Sequence, residues 1–136
     1  KYVGVLNMHG GNIILKTAVR EVNFENKNGI VVLCNPFLEI NNIAKSCLDN
    51  YGQELHAGEF ETSVMMYLDP KIVKKCYVDC IPDVEPIHFD IEPMKNFCPD
   101  GVWGKPSLAS MEKGEILFNA MINATVKKLS NIFNRF

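Results

Sequence analysis

The first third of the chain consists of two short apolar runs separated by an amphipathic segment. Tyr2–Leu6 ("YVGVL") and Ile30–Cys34 ("IVVLC") have the composition of strands that are buried in a sheet. The segment between them has apolar residues at helical spacing, at Leu15, Ala18, Val19 and Val22. Asn12 is the predicted N-cap of this helix, and Gly29 is the residue predicted to stop it. The pattern predicts a βαβ unit with a parallel strand pair and a right-handed crossover.

Three further helices are predicted along the rest of the chain. Residues 39–50 predict a short helix, and Glu59–Leu68 predicts a second one that Asp69-Pro70 ends. The longest apolar stripe predicts a C-terminal helix through Leu108, Met111, Phe118, Met121, Ile122, Thr125, Leu129, Ile132 and Phe133. The alternation of strands and helices predicts an α/β fold, with helices on both faces of a mainly parallel sheet. A chain of 136 residues suits one domain, so residues 1–136 are predicted to form a single domain.

One late segment, "EPIHFDIEP", alternates between apolar and polar positions. Its apolar residues are Ile87, Phe89 and Ile91, and its polar residues are His88, Asp90 and Glu92. This period of two predicts a half-exposed strand, and the flanking prolines predict that it lies at the edge of the sheet. The three polar side chains would share one face, as a ligand set or, more commonly, as a hydrated surface.

Composition and charge argue against some classes of binding partner. The net charge is −2 and no basic run occurs, which argues against nucleic acid and the membrane surface as partners. The apolar runs are too short to cross a bilayer. The five cysteines include no CxxC pair, which favours reduced thiols in a cytoplasmic protein over a zinc finger or a thioredoxin-like site. Lys1 lies directly before the first predicted strand, so we expect further residues to precede it.

The turn "NMHGGN" follows the first predicted strand at its carboxyl end, where binding sites form in parallel sheets. Asn7, His9 and Asn12 surround two glycines that allow a sharp turn. The turn could cradle a phosphate at the helix N-terminus, although it lacks the GxGxxG pattern and the lysine of a P-loop. His9 could instead give a neutral imidazole nitrogen to a metal ion. An ordinary turn histidine is the third interpretation.

The stretch "HAGEFETS" combines a histidine and two glutamates around the start of a predicted helix. On a helix that begins at Glu59, Glu61 shares a face with the apolar Val64, Met65 and Leu68. Glu61 is therefore predicted to point inward, where a carboxylate must be neutralised, paired or bound to a metal. The alternative is a partly hydrated Glu61 stabilised by the helix dipole. His56 is either a general acid–base or an ordinary loop histidine.

Three motifs in this order and approximate spacing resemble the creatininase (creatinine amidohydrolase) family: "NMHGGN", "HAGEFETS" and "GVWGKPSLASMEKGE". The resemblance covers essentially the whole chain, but only the C-terminal portion of a family member. It implies a three-layer α/β/α sandwich and a metal-dependent hydrolase of amide C–N bonds outside peptides. It also implies two divalent ions (zinc, manganese or iron), a small-molecule amide substrate and a homo-oligomer, often a hexamer.

The resemblance also assigns roles to individual residues. His9 matches the ligand histidine of the family's "NGHGGN" motif, and Glu61 matches a glutamate that binds the second metal. His56 matches the histidine that shuttles protons, so it is the predicted catalytic residue. Trp103, the one tryptophan, is predicted to lie in the core or at an interface.

The chain departs from the family pattern in three respects. Gly11 stands where creatininases proper have a metal-binding glutamate, in "HYEN". Pro36 and Gly52 stand in loops where those enzymes carry aromatic residues, which favours formamides or small-peptide derivatives over creatinine as substrates. The family's first strand carries a Glu-x-His motif and is followed by a metal-bridging Asp, and neither has a counterpart ahead of the "NMHGGN" turn in this chain. We therefore expect this chain alone to be inactive, with the missing ligands lost, cleaved off or supplied by another chain.

Two other functions stay open on the sequence. One is a non-catalytic or truncated assembly module of the same fold, packing through Trp103 and the last helix. The other is a nucleotide-binding α/β domain that uses "NMHGGN" as its phosphate loop. A nucleotide-binding domain would bind its ligand without a metal, whereas the amidohydrolase would contain metal ions.

Overall fold

The computed structural model describes residues 1–26, 28–74 and 76–136. Within these ranges, two strands and five α-helices follow one another as β1 (Tyr2–Leu6), α1 (Ile14–Glu25), β2 (Ile30–Cys34), α2 (Pro36–Glu39), α3 (Asn41–Cys47), α4 (Glu59–Leu68) and α5 (Met111–Phe133). The same ranges include three short 3₁₀ helices, at Pro86–Asp90, Met94–Asn96 and Pro106–Leu108. The described residues divide into two compact units. The first unit is Lys1–Asn41 with Ala120–Phe136, and the second unit is Asn42–Asn119.

The first unit contains the predicted βαβ arrangement. β1 and β2 pair in parallel, from Tyr2 opposite Ile30 to Leu6 opposite Cys34. The Asn23 side chain fastens α1 to β2, because it accepts the Val31 N–H and donates to the Val31 carbonyl, both at 2.8 Å. The α/β class and the parallel pair are thereby confirmed.

The prediction that β1 is buried is wrong for this chain. Tyr2 is 51% exposed and Leu6 is 59% exposed, whereas Val32 and Cys34 of β2 are buried. β1 and β2 each have one neighbouring strand in the described sheet, so the difference lies in what covers their faces: Val32 and Cys34 belong to the buried core, whereas no residue of β1 does.

The boundaries of α1 differ from the predicted ones. The Asn12 side chain donates to Asn7 Oδ1 at 3.0 Å instead of capping the helix, and Ile13 occupies the N-cap position. At the other end, Asn26 adopts an extended conformation and its Oδ1 accepts the Asn28 N–H at 3.0 Å. This local turn ends α1 at Glu25, before Gly29.

The short helix predicted over residues 39–50 is α3 with the last residue of α2. In the second unit, α4 spans Glu59–Leu68 as predicted. The core of this unit includes Val64, Cys98, Trp103 and Leu117, all buried. α4 and α5 approach closely at Gly114, where an added Cβ would collide with the Ser63 carbonyl. Gly114 is therefore required by packing, and a ring contact between Tyr67 and Phe118 continues the same interface.

The predicted edge strand in "EPIHFDIEP" is wrong, since Pro86–Asp90 is a 3₁₀ helix. Pro86 has no N–H for a ladder and fits the first turn of a helix. The backbone bonds locally, because the His88 N–H donates to Glu85 O at 3.0 Å and the Ile91 N–H donates to His88 O at 3.0 Å. The alternating residues therefore do not share a strand face. Across the described ranges, no helix is both long enough and apolar enough to span a bilayer.

Candidate active site

The turn after β1 is shaped by a cluster of asparagines at the carboxyl ends of the two strands. Asn7 N–H extends the ladder by donating to Cys34 O at 2.8 Å. Its side chain donates to Asn35 Oδ1 at 2.8 Å and accepts from the Asn12 side chain at 3.0 Å. The His9 N–H donates to Asn7 Oδ1 at 3.3 Å. The cluster therefore fixes the path of the chain through His9.

The imidazole of His9 folds back onto its own turn. Its Nδ1 accepts the Gly11 N–H at 3.0 Å, and an added Cβ on Gly11 would lie 2.9 Å from His9 Cε1. Gly11 therefore makes this ring position possible. Because Nδ1 accepts this hydrogen bond, the neutral ring carries its proton on Nε2. His9 would therefore have to give up its hydrogen bond with the Gly11 N–H before it could bind a metal ion. The Gly11 N–H is also already used, which weakens the phosphate-cradle interpretation of the turn.

In the second unit, His56 and Glu61 meet at the start of α4. The Ala57 N–H donates to Glu61 Oε2, and His56 Nδ1 lies 3.9 Å from the same oxygen. Both side chains are close to half exposed, at 46% for His56 and 42% for Glu61. Ala57 is the one non-glycine residue of the described chain with a positive φ, +51°, and this bend directs its N–H toward Glu61. The result is an imidazole and a carboxylate side by side, open to water.

The backbone of His56 is held by a short antiparallel ladder. The Trp103 N–H donates to His56 O at 2.8 Å, and the N–H groups of Leu55 and His56 donate to Trp103 O at 2.9 and 3.1 Å. Trp103 is 4% exposed, so its side chain packs in the core and anchors this ladder there. A core position was one of the two roles predicted for this tryptophan. Gly104 continues the ladder by exchanging two hydrogen bonds with Cys80, at 2.7 and 2.9 Å.

The prediction that Glu61 is the inward carboxylate is wrong, because the fully buried one is Glu59. Glu59 accepts the N–H groups of Asp49 and Asn50 at 3.1 and 2.8 Å, and its Oε1 is bonded to Lys113 Nζ. Neighbours within α4 alone do not decide which carboxylate is buried, because the loop before α4 and the lysine of "MEKGE" cover the Glu59 side.

A third carboxylate, Glu54, was not singled out from the sequence. Both of its oxygens lie 3.2 Å from the Phe60 N–H, so it caps the start of α4. Burial raises the pKa of the Glu54 carboxyl, outweighing the hydrogen bonds from backbone N–H groups that lower it. Gly58 and Gly104 pack against this side chain: an added Cβ on Gly58 would collide with the Glu54 carboxylate, and one on Gly104 would collide with Gly58 Cα and press on Glu54 Cβ. The glycine of "HAG" is thus the sequence signal for this packing.

A shallow cavity of about 280 Å³ adjoins Glu61. It is lined by Ala57, Glu61, Thr62, Met65, Ile72 and Val73. One carboxylate and one hydroxyl beside apolar side chains suit a small, mostly apolar molecule with a few polar atoms.

The described residues satisfy only part of a metal site. His9, His56 and Glu61 are donors of the kinds that zinc, manganese and iron bind. Within residues 1–26, 28–74 and 76–136, however, no three His, Cys, Asp or Glu side chains are grouped so that they could hold an ion. His9 belongs to the first unit and Glu61 to the second, so their convergence on one site stays a prediction.

The fold is one that solved creatininases share. A mutant creatininase with a tryptophan replaced by phenylalanine matches with a TM-score of 0.74 and 24% identity, over 96% of this chain and 55% of that one. A second creatininase, a glutamate-to-glutamine mutant complexed with creatine, matches with a TM-score of 0.70 and 24% identity, over 96% and 56%. The chain therefore spans little more than half the length of these structures. No curated protein sequence matches it.

Family membership rests on the sequence match. The family model described as creatinine amidohydrolase matches residues 1–129, which is nearly the whole chain. The chain belongs to the creatininase family, and the resemblance drawn from the three motifs is confirmed.

Proposed function

We propose that this chain forms part of a metal-dependent amidohydrolase that cleaves a non-peptide amide C–N bond, of the cyclic or formyl type. The observation that carries the proposal is the exposed pair of His56 Nδ1 and Glu61 Oε2, 3.9 Å apart, beside a small cavity. Membership of the creatininase family supports the reaction class. The domain that carries the activity is proposed to be a single three-layer α/β/α sandwich, of which residues 1–136 are the C-terminal portion.

His9 and Glu61 are the proposed metal ligands among the described residues. A divalent ion at such a site lowers the pKa of bound water to roughly 7 and polarises a carbonyl. Glu61 is suited to its part because its helix-start position leaves the carboxylate 42% exposed while the Ala57 N–H orients it. His9 is suited to its part once it gives up the contact with Gly11. Because two ligands do not close a site, we expect this chain alone to bind metal weakly.

His56 is the proposed proton donor to the leaving nitrogen. An amide nitrogen leaves poorly as an anion, so a positioned acid lowers the barrier to C–N cleavage. The ladder to Trp103 fixes the His56 backbone, while its side chain remains 46% exposed. The distance of 3.9 Å to Glu61 is too long for a hydrogen bond, and such contacts often tighten only when the substrate binds.

The sequence departures define the proposed substrate class. Gly11 replaces the acidic residue of creatininases proper, and Pro36 and Gly52 replace aromatic ones. A small formamide or lactam is therefore a better candidate than creatinine. We propose that the enzyme is a cytoplasmic homo-oligomer, a hexamer by family resemblance, with the remaining ligands supplied by residues outside this chain.

Replacing His56 with alanine tests the proposed function. In the assembled enzyme, His56→Ala should lower turnover of a formamide or lactam by about 10²–10⁴-fold, the usual contribution of a general acid. Metal content, measured by mass spectrometry, should be unchanged because a proton donor does not hold the ion. Loss of metal together with activity would make His56 a ligand, and no change in either would make it an ordinary loop histidine.

The alternative is a non-catalytic assembly module of the same fold. It is favoured by one observation, that the described residues bring no three metal ligands together. An assembled, metal-loaded protein that turns over no member of a formamide and lactam panel would support this alternative.

A further inference from the structure

Two cysteines of the second unit, 18 positions apart in the sequence, lie with their thiols in contact. Cys80 Sγ is 3.5 Å from Cys98 Sγ, and it also faces Phe97 O at 3.9 Å. Cys98 is 1% exposed, whereas Cys80 is only partly buried. Of the two residues, Cys80 therefore retains some contact with solvent and Cys98 retains almost none.

The surroundings of this pair favour thiol chemistry over metal binding. No other His, Cys, Asp or Glu side chain in the described ranges joins these thiols in a group that could hold an ion. A disulfide bond of about 2.05 Å would require the two sulfurs, now 3.5 Å apart, to approach by roughly 1.5 Å. Burial raises the pKa of the Cys98 thiol to about 11, and the neighbouring Cys80 adds to the shift. At neutral pH Cys98 therefore stays a protonated thiol until Cys80 has reacted.

We propose that Cys80 and Cys98 form a redox modification site, in which hydrogen peroxide converts the two thiols into an intramolecular disulfide. The Cys80 thiolate attacks the peroxide oxygen, the O–O bond breaks, and Cys80 becomes a sulfenic acid with release of hydroxide, which takes a proton to form water. Cys98 sulfur then attacks the Cys80 sulfur, and the departing hydroxide takes the Cys98 proton as a second water. Two thiols lose two electrons to one peroxide, and a dithiol reductant restores them.

This site is connected by backbone hydrogen bonds to the loop that carries His56. Cys80 pairs with Gly104, and the preceding Trp103 pairs with His56. A disulfide would tie the Cys80 end of this ladder to the Cys98 segment. A change in turnover on oxidation rests on the proposed function, whereas formation of the bond does not, so the test below reads the bond alone.

The test is mapping of the bond by mass spectrometry. The chain is treated with hydrogen peroxide at neutral pH, blocked with N-ethylmaleimide, and digested without reductant. We expect a loss of about 2 Da and one peptide pair joining Cys80 to Cys98, which dithiothreitol separates. Cys80→Ser and Cys98→Ala each remove one of the two sulfurs and should abolish both the loss of about 2 Da and the joined peptide pair, whereas Cys76→Ser, the matched control at an exposed cysteine, should retain both.

Mapping in the unmodified chain keeps the proposal testable even if a variant folds poorly. A bond from Cys80 to Cys76, a cross-link between molecules, or a sulfinic acid at Cys80 as the main product would each overturn it.

Discussion

The two segments that carry the proposed site chemistry are built in different ways. The turn around His9 is stabilised mostly by short-range bonds, with Asn7, Asn12 and Gly11 all within five residues of one another. The segment around His56 and Glu61 depends on Lys113 and Trp103, which lie about fifty residues further along the chain. The comparison shows that a local sequence motif can describe the first segment, whereas the second is defined by residues far away in the sequence.

The ion pairs of the two units also differ, both in burial and in the number of hydrogen bonds. In the second unit, Lys113 Nζ donates to Glu59, to Asp49 at 2.7 Å and to Leu108 O at 2.9 Å. These bonds join three chain segments around a carboxylate that has no access to water. In the first unit, the Lys128–Glu39 pair is a single bond of 2.6 Å between partly exposed side chains.

The largest expected effect is from Lys113→Met. The change leaves Glu59 buried with only two backbone donors, and breaking such a pair costs about 3–5 kcal/mol of unfolding free energy. Lys128→Met is the matched control and should cost about 1 kcal/mol or less because its pair is partly hydrated. Chemical denaturation of both variants measures the difference. Equal losses would show that the Glu59 cluster does not hold the second unit together.

The same cluster predicts how stability changes at alkaline pH. Burial lowers the pKa of Lys113, but its bonds to Asp49 and Glu59 outweigh this effect, so the pKa is raised above its ordinary value of 10.5. A raised lysine pKa contributes stability that is complete below 10.5 and is lost as the pH rises through the folded value. Unfolding free energy should therefore fall above pH 10.5 more steeply in the unmodified chain than in Lys113→Met. Parallel pH profiles would contradict this prediction.

Gly114→Ala should have the next largest effect. An added methyl group would collide with the Ser63 carbonyl between α4 and α5, and overpacking of this kind costs about 1–3 kcal/mol. Gly10→Ala is the matched control in the His9 turn, since nothing lies within 4 Å of its added Cβ. Thermal unfolding compares the two, and a Gly114→Ala variant as stable as Gly10→Ala would mean that the helices do not meet there.

The smallest expected effect is from Gly11→Ala. The added Cβ would push against the His9 ring, so the ring should move from its contact with the Gly11 N–H at a cost of about 1 kcal/mol or less. The His9 ring signals in nuclear magnetic resonance spectra should shift, while those of His56 and His88 stay in place. Unchanged His9 signals would show that the ring does not rest on Gly11.

The sequence predicted those elements whose signals are local. Asp69-Pro70 ended α4 correctly, and the two apolar runs located β1 and β2. The period of two at Pro86–Asp90 was misleading because Pro86 and local hydrogen bonds favour a 3₁₀ helix when no neighbouring strand is present to pair. The exposure of β1 likewise depends on what packs over its faces, which periodicity does not report.

The sequence motifs predicted which residues carry the candidate site, but not which distant residues hold them in place. "HAGEFETS" located His56 and Glu61 at the start of α4, yet the buried carboxylate was assigned to the wrong glutamate. Glu59 bonds to Lys113, which is 54 positions away, and no pattern within α4 reports such a partner. The family resemblance supplied roles for His9, Glu61 and His56 that physical reasoning from the residues had left open.

The convergence of His9 and Glu61 is the central claim, and anomalous X-ray diffraction from crystals of the assembled enzyme grown with Mn²⁺ tests it most directly. We predict manganese peaks bound by both residues, with their metal-binding atoms less than about 8 Å apart, as metal spacings of roughly 3.5–4 Å and ligand bonds near 2 Å allow. Manganese bound elsewhere, or His9 and Glu61 on opposite faces of the sheet, would contradict the account.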